Sequence, residues 1–372
     1  MVLSIFYGSE AGQVVEREQP VEAQFRTLHK FLNVDSSGPM GPLVIKDDFV
    51  YGIMSFGETQ LGSVYSFNIN NESFETFYNF TGKDLGVPRT GLFKGVDGYV
   101  YCISSNGSNR FEWYFLKLDT AAHTVNSSVT KAGLSGPPYW LTPIRESFWT
   151  GSSPTQAAPF ITTGTIFLYN QLEDTVKVVW KDFPQEFSKN TFSQMIVGPK
   201  GKIFGNLPGG PFFADGFIYT LDDKGNHSVF FNFTKQGFPG INPNNIILGS
   251  DNALYGTAIS SDFDLVYKII PSNKKFILIP LNQTEVGSNP CCLIQANNGL
   301  LYGMTSSGGE NGIGSIFAVD PKNNTVEAIY YFNSDYSRHP TALLQIDNET
   351  LLGTSSGRPG FNEGSIFEID LG

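Results

Sequence analysis

The chain has 372 residues, with 35 acidic and 24 basic side chains and a formal net charge of −11. Nucleic acids and anionic membrane surfaces are bound by basic stripes, so this charge balance argues against both classes of partner. No run of eighteen apolar residues occurs, and we therefore predict no membrane-spanning helix.

The N-terminal part begins with a short apolar stretch that lacks the basic region of a secretion signal. We interpret residues 1–20 as an N-terminal extension of a single domain that spans residues 1–372. The first strand signal follows at residues 25–33, which read FRTLHKFLN.

One dipeptide position, at the end of a second strand, recurs seven times along the chain. Its intervals are 47 to 54 residues, and a period near fifty residues with four strands per period is typical of a β-propeller. The seven copies are Tyr51-Gly52, Tyr101-Cys102, Thr150-Gly151, Phe204-Gly205, Tyr255-Gly256, Tyr302-Gly303 and Leu352-Gly353.

The sixth repeat, residues 290–333, shows the strands most clearly. We predict strands at 292–296, 300–305, 315–319 and 325–332, separated by turns rich in Gly, Asn, Asp and Pro. An antiparallel sheet that is apolar on both faces needs neighbouring sheets to pack against. The sequence therefore predicts an all-β fold, a seven-bladed β-propeller with four antiparallel strands per blade.

The seventh repeat ends after its third strand, at residues 365–370. The segment 25–33 resembles the fourth strand of the preceding repeat, residues 326–333. We predict that this N-terminal strand completes the last blade, because such pairing would remove the open sheet edge at both termini.

The repeats also carry a family resemblance. Residues 299–309, reading GLLYGMTSSGG, and residues 314–317 resemble a bacterial tandem-repeat family often called GloVer repeats, and the resemblance recurs at 252–257 and 352–357. It extends more weakly through the first four repeats. The resemblance implies a propeller over nearly the whole chain, and it implies no particular activity.

A ligand site is expected where the blades differ, at the channel mouth formed by the innermost strands and the loops around them. The residue pairs at that position are unlike one another, running from Met40-Gly41 and Arg89-Thr90 to Cys291-Cys292 and Thr341-Ala342. A repeated lectin would keep equivalent residues in several blades, so the variation indicates one asymmetric small-molecule pocket. The candidate substrate-binding residues are Tyr139, Trp140, Phe192, Asn244, Asn245, Cys291, Cys292 and Arg358.

The adjacent cysteines Cys291 and Cys292 are the most unusual pair in that ring. In an oxidising compartment they can close into a strained vicinal disulfide with a rigid apolar surface. The alternative is two reduced thiols that pack as small hydrophobic side chains. Because the chain has three cysteines, at least one is unpaired, and we predict that Cys102 is a buried thiol. Neither arrangement has zinc-ligand spacing, so we expect no metal and no cofactor.

Conventional catalytic motifs are absent from the sequence: it has no nucleophile elbow and no HExxH motif. We predict that His339, Arg89 and Arg338 supply hydrogen bonds or positive charge to a carbonyl or phenolate oxygen of a substrate. The alternative for each is a solvated loop charge.

Two functions follow. One is an enzyme that cyclises, isomerises or performs a cycloaddition on an aromatic or terpenoid natural product by positioning it. A secreted-type propeller with a vicinal cysteine pair and no triad is similar, in those features alone, to the fungal hetero-Diels–Alderases of tropolone sesquiterpenoid pathways. The other function is non-catalytic binding of a glycan or protein.

The compartment is inferred from glycosylation signals. Nine N-x-S/T sequons lie at or beside Asn71, Asn79, Asn106, Asn126, Asn226, Asn232, Asn282, Asn324 and Asn348. We expect N-glycans at some of Asn71, Asn126, Asn226 and Asn324, in turns between third and fourth strands, and a secretory-pathway or extracellular location. The alternative is that Asn, Ser and Thr simply populate turns.

Overall fold

The computed structural model describes most of the chain. The described residues are 23–31, 38–54, 61–82, 85–105, 113–130, 134, 138, 140–146, 148–158, 161–180, 194–207, 216–260, 262–334, 337–357 and 364–372. They form seven separate antiparallel sheets, as the repeat count predicts.

The first three blades follow the chain in order, from the innermost strand outward. Their strands are β2 (Pro39–Lys46), β3 (Phe49–Met54), β4 (Ser63–Asn68) and β5 (Phe74–Asn79) in blade 1, β6 (Phe93–Lys94), β7 (Val100–Ser105), β8 (Trp113–Asp119) and β9 (Thr124–Thr130) in blade 2, and β10 (Trp140–Arg145), β11 (Phe148–Ala158), β12 (Ile161–Asn170) and β13 (Thr175–Trp180) in blade 3.

The next three blades repeat this order, except that the innermost strand of blade 5 is divided in two. Their strands are β14 (Met195–Val197), β15 (Ile203–Leu207), β16 (Phe217–Leu221) and β17 (His227–Asn232) in blade 4, β18 (Asn242–Pro243), β19 (Ile247–Leu248), β20 (Leu254–Ile259), β21 (Asp264–Ile270) and β22 (Lys275–Leu281) in blade 5, and β23 (Ser288–Gln295), β24 (Leu301–Ser307), β25 (Ser315–Asp320) and β26 (Thr325–Tyr331) in blade 6.

Blade 7 is built from both ends of the chain. Its strands are β27 (Pro340–Gln345), β28 (Thr350–Ser355), β29 (Gly364–Asp370) and β1 (Gln24–Phe31). The outermost strand β1 pairs antiparallel with β29, from Gln24 opposite Asp370 to Phe31 opposite Gly364. The prediction that the N-terminal strand completes the last blade is confirmed.

The recurring glycine of the second strand has a steric cause. In six blades a third-strand aromatic ring lies across this glycine, so close that a Cβ atom there would overlap the ring. The pairs are Gly52–Tyr65, Gly151–Phe167, Gly205–Tyr219, Gly256–Tyr267, Gly303–Phe317 and Gly353–Phe367. Blade 2 changes both members, because Cys102 lies opposite Leu116. The smaller, non-aromatic partner leaves room for the cysteine side chain.

The apolar core lies between the blades. Among the described residues, each pair of neighbouring blades shares one cluster of buried apolar side chains. One such cluster joins Met304 and Ile316 of blade 6 to Leu351 and Phe367 of blade 7. Each sheet thus finds the neighbour that its two apolar faces require.

Strand boundaries differ from the predicted ones mainly at the channel. Strand β23 begins at Ser288 rather than at Cys292 and passes through Pro290. An innermost strand tolerates proline because one of its edges faces the channel, where no backbone partner is lost. Pro199–Gly201 and Thr234–Gln236 are 3-10 turns of three residues each. No helix in the described part of the chain is long and apolar enough to cross a membrane.

Candidate ligand site in the central channel

A cavity of about 260 Å³ lies among the innermost strands, and six of the seven blades contribute to its wall. Most of its lining is apolar, and each blade supplies different side chains. The lining residues are Gly41, Pro42, Leu43, Trp140, Gln194, Asn245, Cys292, Leu293, Ile294, Thr341, Ala342 and Leu343. The cavity is therefore one asymmetric site and not a set of equivalent ones.

The predicted residue Trp140 contributes an aromatic surface held in place by two contacts. Its indole packs edge-on against Phe93, with ring centroids 5.3 Å apart. Its Nε1–H donates to Thr142 Oγ1 at 3.1 Å. Because the only indole donor is already used inside the wall, Trp140 offers a ligand apolar contact.

Three polar side chains interrupt the apolar wall: Gln194, Asn245 and Thr341. Gln194 Oε1 accepts hydrogen bonds from Asn245 Nδ2 at 2.9 Å and from the Ile246 backbone N–H at 3.1 Å. The Thr341 hydroxyl pairs with the Thr354 hydroxyl at 2.8 Å. Sequence reasoning identified Asn245 and missed Gln194, whose bonds reach about fifty residues along the chain and leave no local pattern.

The cysteine pair lies at the edge of this cavity, and Cys292 lines it. The two sulfur atoms are 2.9 Å apart, with both residues present as thiols, and Cys292 donates to Cys291. Cys291 in turn donates to the Pro340 carbonyl oxygen at 3.6 Å. Cys292 adopts a left-handed backbone with φ of 61°, a strained conformation for a side-chain-bearing residue.

The ionisation of these thiols follows from their surroundings. The hydrogen bond to Cys291 and burial raise the pKa of Cys292 well above its ordinary value, so this thiol is protonated at neutral pH. Cys102 is fully buried, and burial raises its pKa to about 12. Neither group is a thiolate nucleophile at physiological pH.

The predicted catalytic residues lie away from the lining of this cavity. His339 is exposed in the left-handed conformation, with φ of 52°, and its carbonyl oxygen accepts from Ser356 N–H at 3.0 Å. Arg338 lines a second cavity, which is described below. Arg89 is half-buried, and its Nε is shielded from solvent without a hydrogen-bond partner among the described residues.

The remaining predicted binding residues fall into two groups. Asn244 is exposed, but its Nδ2 donates to the Pro290 carbonyl at 2.8 Å and its Oδ1 accepts from the Thr257 hydroxyl, so it ties blade 5 to blade 6. Tyr139, Phe192 and Arg358 lie outside the described residues.

A second cavity, of about 440 Å³, has a mostly polar wall between blades 6 and 7. Its lining residues are Asn311, Ile313, Asn333, Ser334 and Arg338. Within the described residues, no cluster of three or more His, Cys, Asp or Glu side chains could hold a metal ion.

The expected turn position of Asn126 and the assignment of a sequon to Asn324 are corrected. Asn71 and Asn226 lie in turns before the outer strands β5 and β17, whereas Asn126 is the third residue of β9 and pairs with Lys117. In the sequence Asn323-Asn324-Thr325 the acceptor is Asn323 and not Asn324. The Asn324 Oδ1 atom is itself buried without a partner in the described part of the chain.

Several solved structures share the fold. An oligogalacturonate lyase in complex with manganese aligns at 12% identity over 95% of this chain and 97% of its own, with a TM-score of 0.63. An oligogalacturonate lyase from Vibrio parahaemolyticus aligns at 12% identity over 94% of this chain and 97% of its own, with a TM-score of 0.62. The extracellular domain of a putative hybrid two component system from B. thetaiotaomicron aligns at 13% identity over 94% of this chain and 43% of its own, with a TM-score of 0.62. Identities this low carry the fold and not the activity.

No curated protein sequence matches the chain. The Gloeobacter/Verrucomicrobia repeat matches residues 193–372, which are blades 4 to 7 of the ring without the N-terminal strand. The protein is thus a seven-bladed β-propeller with an asymmetric cavity in its channel. Its residues 193–372 match the Gloeobacter/Verrucomicrobia repeat family.

Proposed function

We propose that this propeller binds one small molecule in its central channel and catalyses a cyclisation, a cycloaddition or an isomerisation of that molecule, an aromatic or terpenoid natural product. The observation that carries the proposal is the channel cavity of about 260 Å³, whose wall is mostly apolar and differs from blade to blade. Ligand pockets typically measure about 300–1,000 Å³ with a few placed polar groups, so this cavity suits a compact apolar molecule.

Chemistry of this kind needs positioning more than it needs acids, bases or nucleophiles. Holding reacting atoms in contact removes about 7–11 kcal/mol from a barrier. The fixed indole of Trp140 and the apolar side chains of Leu293 and Leu343 supply a shaped surface, and the polar side chains of the wall supply hydrogen bonds. The side chain of Cys292 adds a small apolar surface to this wall.

The cysteine pair adds rigidity in this proposal. In an oxidising compartment the two thiols exchange with a disulfide of the surrounding redox pool, which takes up their two electrons and two protons and leaves one bond between Cys291 and Cys292. The sulfur atoms are already 2.9 Å apart, and Cys292 has a strained φ of 61°. The sequons support the same compartment, so we place the protein in the secretory pathway or outside the cell.

A mass spectrum of the compounds extracted from the purified protein tests the proposal. We expect one apolar natural product from the wild-type protein and none from Trp140→Ala. The matched control is Leu172→Ala, which changes a side chain that is 81% exposed. Conversion of the retained compound, or of its acyclic or isomeric precursor, by the wild-type protein would establish catalysis. Recovery of a sugar instead would contradict the proposal.

A non-catalytic glycan-binding role is the second candidate, and the polar cavity beside Arg338 favours it. Its two Asn side chains, its hydroxyl group and its guanidinium group are the kinds of hydrogen-bonding partner that sugars use. A glycan array would show a signal that Arg338→Ala abolishes and Trp140→Ala leaves intact. An empty array would leave the channel as the functional site.

A further inference from the structure

The carboxamide of Gln194 has one occupied end and one unoccupied end. Its Oε1 atom accepts from the Ile246 backbone N–H and from Asn245 Nδ2, at 3.1 and 2.9 Å. A backbone N–H can only donate, so this contact fixes which end of the amide is oxygen. The Nε2 group is therefore the other end, and it donates to no group among the described residues.

The position of Gln194 makes this donor pair relevant to the channel. Gln194 lines the cavity, where the neighbouring lining side chains are mostly apolar. A ligand that fills this cavity displaces its water, so a ligand oxygen that accepts from the N–H pair gains more than it would in open water. The chemistry that fits is a carbonyl oxygen on an otherwise apolar molecule.

Asn245 shows that the arrangement is maintained at a cost. Because its Nδ2 donates to Gln194, its own Oδ1 faces the other way, shielded from solvent and without a hydrogen-bond partner in the described part of the chain. A buried acceptor left unpaired destabilises a fold, and such exceptions call for an explanation. Orienting Gln194 supplies one.

We infer that Gln194 is a specificity-determining residue that reads a carbonyl oxygen of the ligand, and that Asn245 and the Ile246 backbone position it. The inference rests on the proposed function, since it takes the channel cavity as the ligand site. It narrows the substrate class to compact apolar ketones, aldehydes and related carbonyl compounds.

The test compares two compact terpenoids that differ at the oxygen, the ketone carvone and the hydrocarbon limonene, by ligand-observed NMR titration. For the wild-type protein we expect carvone to bind about 3- to 10-fold more tightly. Gln194→Glu keeps an acceptor for Asn245 and Ile246 but loses the N–H pair, and Gln194→Met loses both functions. Both variants should bind the two compounds equally.

The matched control is Gln345→Glu on β27, whose Oε1 accepts from Asn297 N–H at 2.9 Å outside the cavity lining. It should keep the wild-type preference for carvone. A carvone preference that survives in both Gln194 variants would overturn the role of Gln194 while leaving the channel site standing. Binding of neither compound to the wild-type protein would overturn the proposed function, and this inference with it.

Discussion

The rings of Phe25 and Tyr330 lie parallel, with centroids 4.3 Å apart and planes inclined by 1°. Phe25 belongs to the strand that completes blade 7, and Tyr330 belongs to the outer strand of blade 6. Phe25 also stacks on Phe367 within its own blade, at 5.0 Å. The Phe25 side chain of the N-terminal strand thus packs against both blade 6 and blade 7.

Phe25→Ala should lower the free energy of unfolding by about 2–3 kcal/mol, less than a fully buried Phe→Ala change because the ring is half-buried. The measurement is the midpoint of urea unfolding, followed by fluorescence and circular dichroism. The control is Gln24→Ala, an exposed position on the same strand. Equal midpoints for the two variants would mean that the Phe25 ring contributes little to stability.

The glycine and aromatic pairs predict a double-mutant cycle in blade 6. Gly303→Ala should cost about 1–3 kcal/mol, because the new Cβ overlaps the Phe317 ring. In the Phe317→Leu background the same change should cost less, by a coupling of about 1 kcal/mol, since blade 2 already places a side chain opposite a leucine. Strict additivity of the two changes in urea unfolding would contradict this steric account.

Two carboxylates of blade 5 should respond to pH in opposite senses. Burial raises the pKa of Asp264 above its ordinary value of 3.8, and the hydrogen bonds from Asn289 N–H and Ser260 only partly oppose it. A raised folded pKa means that the folded state holds the proton more tightly, so stability is lost as pH rises from 3.8 through the folded pKa. The free energy of unfolding of Asp264→Asn, taken relative to that of the wild type, should therefore be higher at pH 7 than at pH 3.

Asp251 provides the opposite case. Burial opposes ionisation there, but hydrogen bonds from Lys268, from Ala253 N–H and from Tyr255 outweigh it and lower the pKa of Asp251. Its stabilisation is present above 3.8 and is lost as pH falls through the folded pKa. Asp251→Asn should cost more at pH 7 than at pH 3, by less than about 1 kcal/mol because the carboxylate is nearly half exposed. Urea midpoints at both pH values check both signs.

The cysteine pair gives a prediction in two measurements. After expression through an oxidising compartment, the intact mass should be lower than that of the reduced chain by two hydrogen atoms, and one thiol, Cys102, should react with an alkylating reagent after unfolding. The double variant Cys291→Ala and Cys292→Ala should reduce the magnitude of the free energy of ligand binding in the channel more than it lowers the free energy of unfolding. Equal losses in both would mean that the pair is only structural.

The fold was largely predictable because its determinants are local and repeated. The second-strand glycine recurs in six of the seven blades, and the strand at residues 24–31 resembles the outer strand of blade 6. The details of the innermost strands were not predictable. Strand β6 has only two residues, and the innermost strand of blade 5 is divided around Asn244. These strands line the channel, where the side chains differ between blades, so the repeat pattern does not predict their bounds.

The site was predictable only in outline. The variation among blades pointed to the channel, where Trp140, Asn245 and Cys292 line one cavity. The orientation of the Gln194 amide depends on atoms of Asn245 and Ile246 in the next blade, so no spacing within its own repeat reveals it. Titratable residues such as His339 stand out in the sequence for their type, but the structure places that side chain outside the cavity lining.

Completion of blade 7 by β1 has a consequence for synthesis. The Arg26 and Glu368 side chains bond at 2.7 Å although 342 residues separate them, so the first described strand leaves the ribosome long before its partner. Contacts between such distant segments form slowly, because the loop that joins them is long. Until residues 364–370 have been synthesised, β1 therefore has no strand to pair with in the nascent chain.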